Sequence, residues 1–190
     1  FPGKSYFQTE VKIHNRSAVT QSFLYWANIA THVNENYQIL FHPSVQNVMY
    51  HAKNNFAHWP IADEIYNDID YRGGVDLSWW KNHPNPNSFF VYDLKQDFMG
   101  GYDHGSETGT VHIADHNVVK GAKLWEWGSG KTGAIWDKAL SDTDGAYAEL
   151  MVGAYSDNQP DYSWIKPYEL KSFKQYWYPI KNTGGFKSAN

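Results

Sequence analysis

Two residues of this chain combine an ionisable side chain with a setting suited to proton transfer, His32 and Glu149. Glu149 stands in Tyr147-Ala148-Glu149-Leu150-Met151-Val152-Gly153-Ala154-Tyr155, a run that predicts a strand with a carboxylate among apolar neighbours. Burial disfavours the charged form of a carboxyl group, and such groups do general acid/base work near neutral pH. His32 lies in Trp26-Ala27-Asn28-Ile29-Ala30-Thr31-His32-Val33-Asn34. On a strand, Trp26, Asn28, Ala30, His32 and Asn34 project to one side. Burying that polar set is costly unless each group finds a partner, so Trp26, Asn28 and Asn34 are expected to border a ligand with His32. The same pattern also fits a core histidine satisfied by its neighbours.

The segment after the Glu149 strand is loop chemistry, with Asp157, Asn158, Pro160 and Asp161 closed by Tyr162 and Trp164. Sugar hydroxyls take bidentate acceptors, and the C–H face of a pyranose takes an aromatic plate. Asp157 and Asp161 are therefore expected as substrate contacts, with Tyr162 or Trp164 as a stacking wall. A second cluster comprises Asp103-His104-Gly105, His112 and Asp115-His116. Neighbours in sequence point to opposite faces of a strand, so neither Asp–His pair has the geometry of a metal ligand set. His104 is expected to touch a ligand, and no metal or cofactor is expected.

The elements that position these residues are strands. Tyr6–Asn15 alternates and looks like a central strand, while Gln21–Val33 is apolar through its middle and is expected to be covered on both faces. Further strands are predicted over Tyr37–Phe41, Val45–Tyr50, Val75–Trp80, Ser88–Asp93, Asp97–Tyr102, Gly109–Asp115, Lys123–Trp127 and Tyr168–Tyr178. Glu126, between Trp125 and Trp127, is expected on the solvent face of an edge strand. Residues 51–74 are irregular, too long for a plain connection. Gly130-Lys131-Thr132 ends like a phosphate loop, but Trp125 stands where the leading glycine belongs, and Ile135–Leu140 is too short for the helix that must follow. No helical period lasts ten residues. The pattern predicts one all-β domain, an antiparallel β-sandwich with few or no helices and more than half of its residues in strands.

Composition narrows the partners. The 190 residues carry a net charge of −4, which gives no footprint for nucleic acid. No window approaches 18 consecutive apolar residues, so no membrane partner is expected. The absence of cysteine excludes disulfides and thiolate chemistry. Aromatic residues make up 17%, more than a core needs, which leaves a few for a groove.

Asn15-Arg16-Ser17, Thr20-Gln21, Asn28 and Thr31-His32-Val33-Asn34 resemble the aldose 1-epimerase (galactose mutarotase) pattern, in which the histidine is the general acid. Glu149, followed by Gln159-Pro160-Asp161, is similar to the catalytic glutamate of that superfamily, although the ten-residue separation of Glu149 and Gln159 is longer than in the epimerase motif. The resemblance implies Gln159 as a further substrate contact. PGKSY, WANIATHVN, GGYDHG, ADH, ELMVGAYSDNQPDYSW and QYWYP together resemble a bacterial domain that precedes tetratricopeptide repeats and adopts the galactose mutarotase-like supersandwich. That resemblance implies that this chain is the C-terminal part of a larger supersandwich. An N-terminal half, docked on an exposed apolar strip, and the repeats would be partners in the longer protein.

Three functions compete: an enzyme acting on a sugar through His32 and Glu149, a carbohydrate-binding module without catalysis, and a scaffold that supports the repeats. Fold alone does not choose among them.

Overall fold

The structure is a computed structural model and describes residues 3–159 and 161–185. The amino-terminal third holds β1 (Phe7–His14), β2 (Gln21–Phe23), β3 (Tyr25–His32), β4 (Tyr37–Phe41), β5 (Asn47–Met49) and β6 (Phe56–His58). The irregular stretch that follows contains four two-residue strands, β7 (Ile61–Ala62), β8 (Ile65–Tyr66), β9 (Ile69–Asp70) and β10 (Val75–Asp76), then a 3-10 turn at Trp80–Asn82. The rest comprises β11 (Asn87–Val91), β12 (Phe98–Asp103), β13 (Thr108–Ile113), β14 (Gly121–Glu126), α1 (Lys131–Ser141), β15 (Tyr147–Ala154), β16 (Ser163–Ile165) and β17 (Leu170–Lys181).

Two antiparallel sheets form the sandwich. One has five strands in the order β1-β17-β13-β12-β4, the other six in the order β3-β15-β14-β11-β5-β6. Alternate residues of each sheet meet in one core: Ile39, Met99, Phe173 and Trp177 from the first, Phe89, Leu124, Leu150 and Val152 from the second. The rings of Tyr25 and Phe173 cross between the sheets edge to face at 5.2 Å. The fold is the expected antiparallel β-sandwich, with 47% of the described residues in strands and 8% in helix. Strand content stays below half because 51–74 and 156–169 run mainly in turns and very short strands.

Four local expectations are corrected. Gln21–Val33 is not one strand covered on both faces; it breaks at Leu24, and β3 is the outer strand of its sheet with Asn28, Ala30 and His32 exposed. Its continuous apolar run reflects an edge strand with one face on the core and small or aromatic residues on the other. Likewise β1 is outermost in the five-stranded sheet, not central. Glu126 is fully buried on the core side of β14 rather than on a solvent face, because Trp125 takes the outer position. Finally, Lys131–Ser141 forms an 11-residue helix where none was expected. Only Gly133 of that helix is buried, and Ile135, Trp136 and Leu140 face solvent, so no amphipathic period marks it.

Candidate functional site on the outer face of the six-stranded sheet

Register partners in an antiparallel pair project to the same side, so the sheet can be read in rows. His32 is opposite Tyr147. Ala30, Glu149, Trp125 and Ser88 form the next row across β3, β15, β14 and β11. Asn28, Met151, Lys123 and Phe90 form the third, and Trp26, Gly153 and Gly121 the fourth. The alternate positions Ala148, Leu150, Val152, Ala122, Leu124 and Phe89 belong to the core. His32 and Glu149 therefore share the outer face, on adjacent strands and one row apart, a diagonal relation of about 7–8 Å in ordinary sheet geometry.

Glu149 is half-buried rather than buried, because β3, which covers its flank, offers only Ala30 opposite it. Asn28 Nδ2 donates to Glu149 Oε2 at 2.8 Å and orients the carboxylate. His32 is exposed at the rim, beside a cavity of about 370 Å³ that it lines with Tyr147, Leu140, Ser141 and Asp144. The C-terminal half of α1 thus walls the histidine side of the face.

Trp26 lies flat over the two glycines of its row. A Cβ on Gly153 would sit 2.5 Å from Trp26 Cε2, and one on Gly121 2.5 Å from its Cη2. The ring reaches Phe90 edge to face at 5.4 Å. Beside it, Lys123 is 4% exposed, with Nζ 4.6 Å from the Phe90 ring and donating to Gln159 Oε1 at 3.2 Å. Burial pulls the Lys123 ammonium down to about 8, against the opposing charge of Glu149. Lys123 was not anticipated. Its signal in the sequence was an even spacing with Trp125 inside an apolar strand, which has meaning only once the register is known.

A second aromatic surface borders the Glu149 row. Trp125 meets Trp127 edge to face at 4.5 Å, and Trp127 stacks on Trp136 of α1 at 4.8 Å and 16°. Trp127 Nε1 donates to the Tyr147 hydroxyl at 3.0 Å. Trp136 is 43% exposed, so this cluster offers aromatic surface to solvent next to His32 and Glu149.

The other expected site residues lie apart from this face or at its margin. Asn34 donates to Asp103 Oδ2 at 2.8 Å and accepts from the Asn36 backbone, closing the turn between β3 and β4. Asp157 pairs with Lys53 at 2.9 Å, and Asp161 also contacts Lys53, so both carboxylates hold a loop against the 50–55 turn. Gln159 reaches the face through Lys123. Pro160 lies outside the described residues. Tyr162 and Trp164 are 61% and 65% exposed, and Trp164 pairs with Ser22 in the separate β16–β2 ribbon. His104 follows β12 in the other sheet, where Nε2 meets Gln38 Oε1 at 2.9 Å. Two exposed clusters, His58/Asp63/Glu64 and Asp97/Asp115/His116, bring potential ligand atoms together. In each the histidine is already hydrogen-bonded to a carboxylate of its own cluster.

The fold is shared with solved structures. A tetratricopeptide-repeat-domain-containing protein from Parabacteroides distasonis aligns with 94% of this chain and 28% of its own, at 20% identity and a TM-score of 0.73. A galactose mutarotase related enzyme from Lactobacillus acidophilus aligns with 95% of this chain and 59% of its own, at 11% identity and a TM-score of 0.56. A galactose mutarotase-like protein from Clostridium acetobutylicum aligns with 92% and 52%, at 14% identity and a TM-score of 0.54. This chain therefore spans between 28% and 59% of the length of these proteins. At such identities the likeness concerns the fold. Residues 2–180 match the family described as a domain of unknown function, DUF5107, and the chain belongs to that family.

Proposed function

We propose that this chain is a carbohydrate-active domain that takes a sugar ring on the outer face of its six-stranded sheet, with His32 and Glu149 exchanging protons across the ring. The observation that carries the proposal is the diagonal placement of an imidazole and a carboxylate on one open face. Paired acid/base groups in sugar chemistry work at separations of about 5–10 Å. Asn28 donates to Glu149 Oε2 and fixes the orientation of the carboxyl group on that face. Trp125, Trp127 and Trp136 supply the apolar surface that the C–H face of a sugar seeks. The reaction class is proton transfer at a sugar, as in epimerisation or glycosidic cleavage.

In the same proposal, an N-terminal half of the domain and tetratricopeptide repeats complete a longer protein. Support comes from the outer strands β1 and β3, each eight residues long with one edge unpaired among the described residues, and from Phe7 on β1 at 67% exposure. The repeat-containing relative supports the same context.

A binding module without catalysis is the second reading, favoured by the exposed position of His32 at the rim. Calorimetric titration with a panel of monosaccharides and oligosaccharides, paired with polarimetry of the same sugars, tests both. Turnover that Glu149→Gln abolishes, with binding kept within about tenfold, supports the enzyme. Binding without turnover supports the module. A panel that neither binds nor reacts removes both.

A further inference from the structure

A larger cavity lies on the other sheet. The outer edge of β4 meets the segment after β10 at the bridge Gln38↔Trp79, where the Ile39 amide donates to the Ser78 carbonyl at 2.7 Å. Around that bridge lies a cavity of about 750 Å³, within the usual range of about 300–1,000 Å³ for small-molecule sites. Its apolar wall includes Phe41 and Trp59, which pack ring to ring at 4.8 Å. Its polar wall includes a hydrogen-bonded chain from Asp76 through Ser78 and Gln38 to His104, with His42 and Gln46 lining the cavity outside that chain.

That chain has a fixed direction. Gln38 Nε2 donates to Ser78 Oγ at 3.1 Å, so the Ser78 hydroxyl proton goes to Asp76 Oδ1, 2.7 Å away. At the other end Gln38 Oε1 can only accept, so His104 Nε2 carries the proton of their 2.9 Å bond. In the neutral ring that leaves His104 Nδ1 as an acceptor. Asp76 Oδ1 is engaged with the Ser78 amide and hydroxyl, whereas Oδ2 has no hydrogen-bond partner among the described residues. Gln46, which also lines the cavity, gives its amide nitrogen to the Pro43 carbonyl, and its Oε1 has no hydrogen-bond partner among the described residues. The chain thus ends in acceptors on both sides, beside aromatic and aliphatic surface.

The geometry points to a second ligand-binding site at this cavity, for a neutral polyhydroxylated molecule the size of one sugar ring or cyclic polyol. Hydroxyl donors satisfy Asp76 Oδ2, His104 Nδ1 and Gln46 Oε1, and C–H surface covers Trp59 and Phe41. An anionic ligand is disfavoured by the Asp76 carboxylate. The site belongs to the five-stranded sheet and stands independently of any chemistry at Glu149.

Indole N–H signals in nitrogen-15 NMR separate the two regions, since Trp59 and Trp79 report on this cavity and Trp26 and Trp125 on the Glu149 face. The full chain is titrated with D-glucose, D-galactose and myo-inositol. The expected result is a saturable shift of the Trp59 and Trp79 signals with at least one probe, retained in Glu149→Gln. Asp76→Asn keeps the acceptor that serves Ser78 and replaces the free one with a donor, so it should fold normally and weaken binding about tenfold or more. The proposal is overturned if the two signals stay fixed with all three probes, if their shift disappears in Glu149→Gln, or if a folded Asp76→Asn binds as well as the parent.

Discussion

Glu126 Oε1 lies 3.6 Å from His83 Nδ1, and both side chains are fully buried. The pair is not an ion pair. His83 Nε2 donates to the Leu77 carbonyl at 2.8 Å, and burial pulls its imidazole down to about 4, so the ring is neutral with Nδ1 as a lone pair. Burial pushes the Glu126 carboxyl well above the usual range, the Gly128 amide opposing and the nearby Asp137 charge adding to the rise. Among the described residues neither carboxyl oxygen has a hydrogen-bond partner of good distance and angle. The proton of this pair therefore resides on Glu126.

A stability slope follows from that proton. The folded chain keeps it above the pH at which the unfolded chain loses it, so this group lowers stability as pH rises past the ordinary carboxylate range. Glu126→Gln keeps the shape and removes the titration. Its stability advantage over the parent, from urea unfolding, should widen from about pH 5 to about pH 8. A variant that is less stable by the same margin at every pH would show that the carboxyl is ionised and paired.

Two buried histidines act in the opposite sense. His83 and His112 are both pulled down to about 4 by burial, with hydrogen bonds to Leu77 and Gln175 resisting. Each excludes a proton that the unfolded chain binds, so the stability they confer is full above about 6.5 and lost as pH falls toward 4. Replacing His112 with Gln should flatten the acid limb by one proton, about 1.4 kcal/mol per pH unit at its steepest. An unchanged slope would mean that His112 is charged in the folded chain.

Lys123 and Glu149 should sense one another across the sheet face. The Lys123 ammonium, held down to about 8 by burial, is partly restored by the Glu149 charge. Removing that charge in Glu149→Gln should lower the lysine midpoint further, as read from its Cε shift in a carbon-13 NMR titration. If the midpoint stays in place, the carboxylate is turned away from the face and the proposed pairing loses its base.

The sandwich and the common face of Trp26, Asn28 and His32 were legible because alternation is a local property of one strand. Burial was not, because edge and central strands differ in their neighbours and not in their own residues. Gln21–Val33 and Tyr6–Asn15 both looked central for that reason. Helix α1 escaped because Ile135, Trp136 and Leu140 serve solvent and a Trp127 stack instead of a core stripe. Tyr162 and Trp164 had the chemistry of a stacking wall, yet their position depends on how the loop after β15 pairs with β2. The aromatic surface beside Glu149 comes instead from β14 and α1, two elements that only tertiary packing brings together.

One row separates His32 from Glu149, and a sugar ring spanning them would need both at once. If one residue gives a proton while the other takes one, removing either disables the same step, and the second removal costs little more. His32→Gln and Glu149→Gln should each lower turnover by about 100-fold or more, and the double variant should fall no further than about tenfold below the weaker single one. Binding of the same sugar should stay within about tenfold throughout, because Asn28, Trp125 and Trp127 remain in place. Single effects that multiply in the double variant would assign the two residues to separate steps. Variants that keep full turnover would move the chemistry off this face altogether.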